Sequence, residues 1–451
     1  MQFELTTDYI EVLKQAIAGS NDNFLKSKLE DLHAADVAGI FYQLDFEEVK
    51  KVYRLLDDET AGEVLLELDE DLRENLLASL STKKIAEQLD QMASDDAADV
   101  INELPENLQD EVLSQIEDIE QASDIADLLN YDEGTAGSLM AKELVSVYAH
   151  HTVAGCMEEI RKQAANVENM YAVYVVDENE KLLGLLSLRN LIISEPEKKV
   201  SEICDEEVIV VKTNTPNTEV AEIMEKYDLV VLPVVDSLGR LVGRITIDDV
   251  VDVIRENAEK EIQRMSGISE GAERNDKWWR SIRARIPWLL VGMGGGIISS
   301  RIIGQYEAQI KIQPEVAFFI PLIGATGGNV GVQSSAIIVQ SLASNTMIGD
   351  KIGPKLLREL GIGFINGIIC SLLIFGYNLI TSDSLALACT VSISLITVIL
   401  FASFLGTFVP LTMNKFKINP ALATGPFVTT LNDILGITIY FLVGRLLYGQ
   451  F

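Results

Sequence analysis

Soft-metal ligands are scarce in this sequence. Its 451 residues include four cysteines and three histidines. Cys156, Cys204, Cys370 and Cys389 are scattered and form no Cys-x-x-Cys pair, which leaves no zinc, iron–sulfur or disulfide pattern. Positive charge is scarce as well, with 36 Lys and Arg against 68 Asp and Glu and a formal net charge of −32. Such a surface repels phosphate backbones and anionic lipid alike, so nucleic acid is not expected as a partner. The first residues, MQFELTTDYIEVLK, have neither a basic n-region nor an apolar h-region. No cleavable signal peptide is expected, and membrane insertion falls to later segments. There is no nucleophile–base pair, phosphate loop or ligand cluster of catalytic spacing, so the chain does not read as an enzyme.

What is present becomes visible when the chain is divided at Ile286. Eight basic and six acidic residues lie from there onward, leaving 28 and 62 before it. The acidic part reads as two modules. In residues 1–130, apolar residues recur on a 12-residue cadence at Leu32, Leu44, Leu56, Leu68, Leu80, Met92 and Leu104. Helical stretches lie between them, predicting an α-helical superhelical N-domain with two helices per 24 residues. Residues 136–257 contain a repeat at an offset of 59. Val175, Val176 and Asp177 match Val234, Val235 and Asp236, and Gly184 matches Gly243. Each unit, about 136–197 and 198–257, reads helix, strand, turn, strand, helix. That order, used twice, resembles a tandem pair of cystathionine-β-synthase (CBS) domains, which bind regulatory ligands and self-associate.

From 286 to 451 the chain is apolar, in five stretches near 286–306, 315–342, 356–380, 384–412 and 421–449. Each can cross a hydrocarbon core about 30 Å thick. Basic residues fall on one side: Arg280, Arg283 and Arg285 before the first span, Lys351, Lys355 and Arg358 after the second, and Lys415 and Lys417 after the fourth. The positive-inside rule places that side, and with it the acidic modules, in the cytoplasm. The expected location is the cell (inner) membrane, with several passes through the lipid bilayer.

Asp433 lies inside the fifth apolar stretch, ALATGPFVTTLNDILGITIYFLVG. A carboxylate there costs roughly 2.5–3.5 kcal/mol on insertion scales and marks a functional position. Thr429 and Thr430 share its helical face, and Pro426 is expected to free a backbone carbonyl near Leu422. Carboxylate, hydroxyl and carbonyl oxygens together suit a hard divalent cation. The second span carries GATGGNVGVQSS, with Asn329 and Gln333 four residues apart, suited either to helix–helix contacts or to a water-filled path.

GGNVGVQ (327–333), RELGIGFING (358–367), Val409–Pro410 and NPALATGPFVTTLNDILG (419–436) resemble the membrane signature of the MgtE family of magnesium channels. The order of a helical N-domain, a CBS pair, a connecting plug helix over 247–282 and a five-helix transmembrane domain is also that family's. The resemblance implies a homodimer with a Mg2+ pore on its axis, built mainly from spans two and five. Asp433 falls on the pore aspartate and Asn329 on the polar residue of span two. Gly425 and Thr429 fall where pore-facing backbone is expected. Asn419 stands where the family often has Asp.

The resemblance also gives the acids a role as a Mg2+ sensor that shuts the pore. Asp249, Asp252, Glu256 and Glu259 form a stripe on the connecting helix, and Asp95 and Asp99 lie four apart in the N-domain. Asp228 joins them on the same grounds. Asn190 replaces the Asp usual in a CBS unit, TNTPNTEV (213–220) lacks an acidic run, and Asn257 and Lys260 interrupt the plug's acids. Fewer or weaker sensor sites are therefore expected. Thr246 and Asp249 match the hydroxyl and carboxylate that hold a ribose in nucleotide-binding CBS domains, making ATP a candidate regulatory ligand. Two other readings use the same residues. One is a CBS-regulated secondary transporter of another cation or solute with Asp433 as its coupling group, and the other is a membrane-tethered nucleotide sensor.

Overall fold

The computed structural model describes residues 4–164, 167, 169–269, 278–343, 352–382 and 384–448. It divides into two compact units, Met1–Glu256 and Asn257–Phe451.

In the first unit, helix starts recur every twelve residues. After α1 (Thr7–Ala18) come α2 (Asp22–Leu29), α3 (Ala34–Phe41), α4 (Phe46–Tyr53), α5 (Asp58–Leu66), α6 (Glu70–Leu77), α7 (Thr82–Leu89), α8 (Ser94–Glu103), α9 (Glu106–Leu113) and α10 (Ile119–Leu128). The residues of the 12-residue cadence do not lie in these helices. Each stands two residues before a helix begins, one before its cap. An apolar side chain there packs back on the new helix and fixes the angle at which the chain enters it. The cap follows at once. Asp57 and Asp69 each accept a backbone N–H from the first turn at 2.9 Å, and Ser81 accepts one at 3.2 Å. Asp45 and Glu48 form a reciprocal capping box. Helices this short are not stable alone, so burial between neighbours holds them. Tyr53 is fully buried, its hydroxyl 2.9 Å from Gln88 Oε1 and 3.1 Å from the Ala61 carbonyl, joining α4, α5 and α7.

The 59-residue repeat is visible in the strand register. The first sheet is β1 (Ser146–Tyr148), β2 (Val173–Val176) and β3 (Leu182–Leu186); the second is β4 (Val211–Lys212), β5 (Val231–Val235) and β6 (Leu241–Thr246). Val175 pairs with Gly184 and Val234 with Gly243, and each antiparallel pair is irregular at the next residue. The edges are exchanged between the repeats. Helix α11 (Ala136–Leu139) follows the N-domain, yet Ala136 and Gly137 donate to the carbonyls of Thr215 and Thr213, and Ala141 bridges Arg244. Asp205, leading into the second repeat, bridges Leu185 of the first. The expected boundary at 197/198 therefore divides the sequence repeat, whereas the packing interleaves. The second sheet shares one apolar core with the N-domain, and the first keeps its own.

Helix α15 (Ile247–Met265) leaves β6 directly. It ends well short of the expected 282, because Gly267 turns the chain at φ +70°; residues 270–277 lie outside the described residues, as does Lys351. Among the described residues, five helices are long and apolar enough to cross a membrane. They are α16 (Trp278–Gln305), α18 (Ile320–Ala343, entered through a 3-10 turn at Pro314–Phe319), α19 (Ile352–Thr381), α20 (Leu385–Lys415) and α21 (Gly425–Tyr448). The first therefore starts eight residues before the expected Ile286. Helix α17 (Glu307–Ile312) is a short connector. Helix α20 is central, packing Val391, Leu395, Val398 and Ile399 among α18, α19 and α21, while α16 packs against α21.

Replacing Tyr53 by Phe should lower the stability of the N-domain by about 1–3 kcal/mol, because Gln88 is left buried with an unmet acceptor. Urea unfolding monitored by helical circular dichroism checks this, and an unchanged midpoint would remove the hydroxyl from the list of contacts that join the repeats.

Candidate functional site

In the second unit the site is built where α21 faces α18. Gly425 opens α21 with φ +42°, a conformation side chains rarely adopt. A Cβ there would also stand 2.5 Å from the Met265 carbonyl, so the end of α15 lies directly on this helix start. Pro426 follows in the first turn, where no intrahelical N–H is needed, so it opens the helix instead of kinking it. Leu422 lies before this helix, in the 3-10 turn at Pro420–Ala423, so the expected effect of Pro426 on its carbonyl does not arise: there is no intrahelical bond there to remove. Thr429 turns its hydroxyl back toward the carbonyls of Gly425 and Pro426, at 3.2 and 3.1 Å. That leaves its oxygen lone pairs as acceptors.

One turn further on, Asp433 is half-buried against the glycine face of α18. A Cβ built on Gly324 would lie 3.5 Å from its Oδ1, and one on Gly328 3.9 Å from it. No cation or donor accompanies this carboxylate among the described residues. Asn329 and Gln333 share a face of α18 and are exposed on the single chain. Asn432 does the opposite. It is buried and wedged against Gly331, with its amide nitrogen unpartnered among the described residues. A second intramembrane acid, not singled out in the sequence, is Glu359 of α19, which accepts 2.7 Å from the buried Ser334 hydroxyl of α18.

In the first unit a cluster of carboxylates forms around the start of α8 and the first turn of α15. Asp95 is 9% exposed, and burial first, then the charges of Asp249, Asp96 and Glu143, push its carboxyl well above the ordinary range. Burial and then Asp249 raise Asp96 to about 7. Asp99 is exposed on the helix surface, yet the protein around it displaces enough water to raise its carboxyl to about 6, with Glu103 adding and Arg73 opposing. Asp249 is likewise raised to about 6 by burial, against the pull of its hydrogen bonds from Thr246. The nearby cations are already engaged: Arg73 with Glu103, Lys142 with Asp127, and Arg244 with the carbonyls of Glu143 and Asn169. Glu143 supplies the cap that Ala93 lacks, accepting from the Ser94 N–H and hydroxyl at 2.9 and 3.0 Å. No three His, Cys, Asp or Glu among the described residues stand in a ligand-ready arrangement. The cluster is thus a concentration of negative charge, not a preformed cage.

Of the expected sensor residues, Asp95, Asp99 and Asp249 are close enough that the charge of Asp249 acts on the other two. Asp96, Asp248 and Glu143 join them, and the doublets Asp95–Asp96 and Asp248–Asp249 were the available signal. Asp228 is an exposed left-handed residue capping α14 (Asn217–Tyr227), and Asp252 is exposed and paired with Arg255 at 3.0 Å. Glu256 and Glu259 are exposed further along α15. None of these four is among the leading charges on the raised carboxylates. The Thr246 hydroxyl donates to Asp249 at 2.7 Å.

The MgtE family, described as a divalent cation transporter, matches residues 320–443; the MgtE intracellular N domain matches 32–134, and CBS domains match 136–195 and 200–256. Magnesium transporter MgtE of Thermus thermophilus is 33% identical over 445 residues, covering 96% of this chain and 97% of that protein. Its namesake in Bacillus subtilis is 30% identical over 416 residues, covering 92% of each. Among solved structures, the cytosolic domain of the Mg2+ channel MgtE in complex with ATP is 35% identical with a TM-score of 0.51, covering 54% of this chain and 99% of that one. With its N-domain, CBS pair and five membrane helices in this order, the chain belongs to the MgtE family of divalent cation transporters.

Proposed function

We propose that this chain transports Mg2+ through a pathway built by two copies of α18 and α21, and that Mg2+ on the cytoplasmic side closes it. The observation that carries this reading is Asp433, a carboxylate set in an apolar helix without a counter-charge among the described residues. Magnesium keeps most of its first water shell, so a path for it needs charge at one level and hydrogen-bonding oxygens or amides around it. One Asp per chain is sparse for a divalent ion; a two-fold axis supplies two. Asn329 and Gln333 are exposed on the single chain, and amides in a spanning helix need a partner helix or water, which the same axis provides. Thr429 and Gly425 line up on the approach to Asp433, and the basic residues beside the spans put the acidic modules in the cytoplasm.

Closure follows from the acidic cluster. Without metal, the carboxylates of α8 and of the first turn of α15 repel one another. A divalent cation drawn among them favours the arrangement in which they are close, a shift of population toward the state that binds it better. Helix α15 carries some of these carboxylates at one end and rests at Met265 on the start of the Asp433 helix at the other. ATP is present in the relative's solved cytosolic domain. Here Thr246 donates its hydroxyl to Asp249 at 2.7 Å, which leaves acceptor oxygens on both residues for the hydroxyls of a ribose.

Asp433→Ala should abolish magnesium-dependent growth rescue of a transport-deficient cell while the protein still reaches the membrane; full rescue would sink the pore assignment. Uptake that follows a proton gradient and ignores Mg2+ would instead favour the coupled-transporter reading. Neutralising Asp95, Asp96 and Asp249 together should leave flux high at internal Mg2+ concentrations that silence the unaltered protein, and unchanged silencing would discard the sensor.

The raised carboxyls also set a pH dependence. They bind protons more tightly folded than unfolded, so their contribution is favourable in acid and is lost as pH rises through about 6 to 7. In metal-free protein, hydrogen exchange in α8 and the first turn of α15, corrected for intrinsic rates, should slow as pH falls from 7.5 to 5.5. Added Mg2+ should restore protection at the higher pH and do little at the lower. Protection independent of both would contradict the repulsion described.

A further inference from the structure

A groove of about 520 Å³ lies within the membrane-associated unit, outside the Asp433 site. Its walls are Ser266, Gly267 and Ile268 after α15, Trp288, Leu289 and Met293 of α16, and Pro426 of α21, with Arg285 the one charged residue among them. Arg285 is exposed and has no carboxylate partner among the described residues. It stands four residues before Leu289 and seven after Trp278, on one stripe of α16. Trp278 and Trp279 are 73% and 65% exposed, far too much for indoles in water, and sit where interfacial aromatics mark the headgroup level.

We propose that this groove holds an anionic phospholipid of the cytoplasmic leaflet, with its phosphate on Arg285 and an acyl chain along Leu289, Met293 and Pro426. The charge decides the occupant. A second copy of the chain packed here about a two-fold axis would set the same arginine-bearing face against itself, like charge on like. A lipid brings the missing anion and the missing apolar cover together. The bulk of the protein repels anionic membranes, which makes Arg285 the place where such a lipid is retained. The bound chain would touch Gly267 and Pro426, the contact that seats the end of α15 on the Asp433 helix. Lipid composition would therefore bias that seat.

All three tryptophans of the protein, Trp278, Trp279 and Trp288, are on α16, so intrinsic fluorescence reads this groove. In the full-length protein carrying Trp278→Phe and Trp279→Phe, Trp288 reports alone. In phosphatidylcholine vesicles, brominated phosphatidylglycerol should half-quench it at about five-fold lower mole fraction than brominated phosphatidylcholine, the preference expected of one basic residue near a membrane surface. Arg285→Gln should erase the preference and Arg285→Lys should keep it, which separates charge from folding. Equal quenching by both lipids with Arg285 intact would overturn the site. Absence of quenching by either would overturn it in favour of a second copy covering the groove. The readout is binding alone, so it can fail while Mg2+ uptake stands, and the reverse.

Discussion

Taking a carboxylate out of water costs several kcal/mol unless a positive charge goes with it, and this chain does so repeatedly with no ion pair to those carboxylates among the described residues. Asp433 is placed among glycines, and Asp95, Asp96 and Asp249 crowd together while Arg73, Lys142 and Arg244 are tied elsewhere. The cluster around α8 is less comfortable at neutral pH than in acid when no ion is present. Much of the remaining architecture can be understood as what tolerates that discomfort: a rigid helical array on one side of α8, and a densely packed α20 behind the helices of the Asp433 site.

The array owes its rigidity to a small device used again and again. An apolar residue, then a cap, then eight or so helical residues make a twelve-residue module whose direction is set before the helix begins. Where the cap residue fails, at Ala93, Glu143 from the CBS pair takes over. The start of the most acidic helix is therefore held by the module it repels. This is a compact way to make the separation of two modules depend on local charge.

Different parts of this were legible in the sequence for different reasons. The five spans follow from hydropathy, and the CBS repeat from an offset that reappears in the register, down to Val175–Gly184 and Val234–Gly243. The N-terminal cadence was visible but lies before the helices, since a period gives spacing and not phase. Helical spacing joined Asp249 to Asp252, yet Asp252 faces solvent with Arg255, whereas Asp96, Asp248 and Glu143 meet only through tertiary contact. Glu359 escaped notice because its partner, Ser334, lies on another helix. Groups gathered from distant elements leave no pattern in a linear reading.

The exchanged edges of the CBS pair have a structural consequence. The chain arrives from α10 onto the second sheet, through α11 and Ala141, and departs from that same sheet by α15. The N-domain, the second sheet and the start of α15 therefore meet in one apolar core, and the first repeat, with a core of its own, is held beside that junction through Asp205 and Leu185.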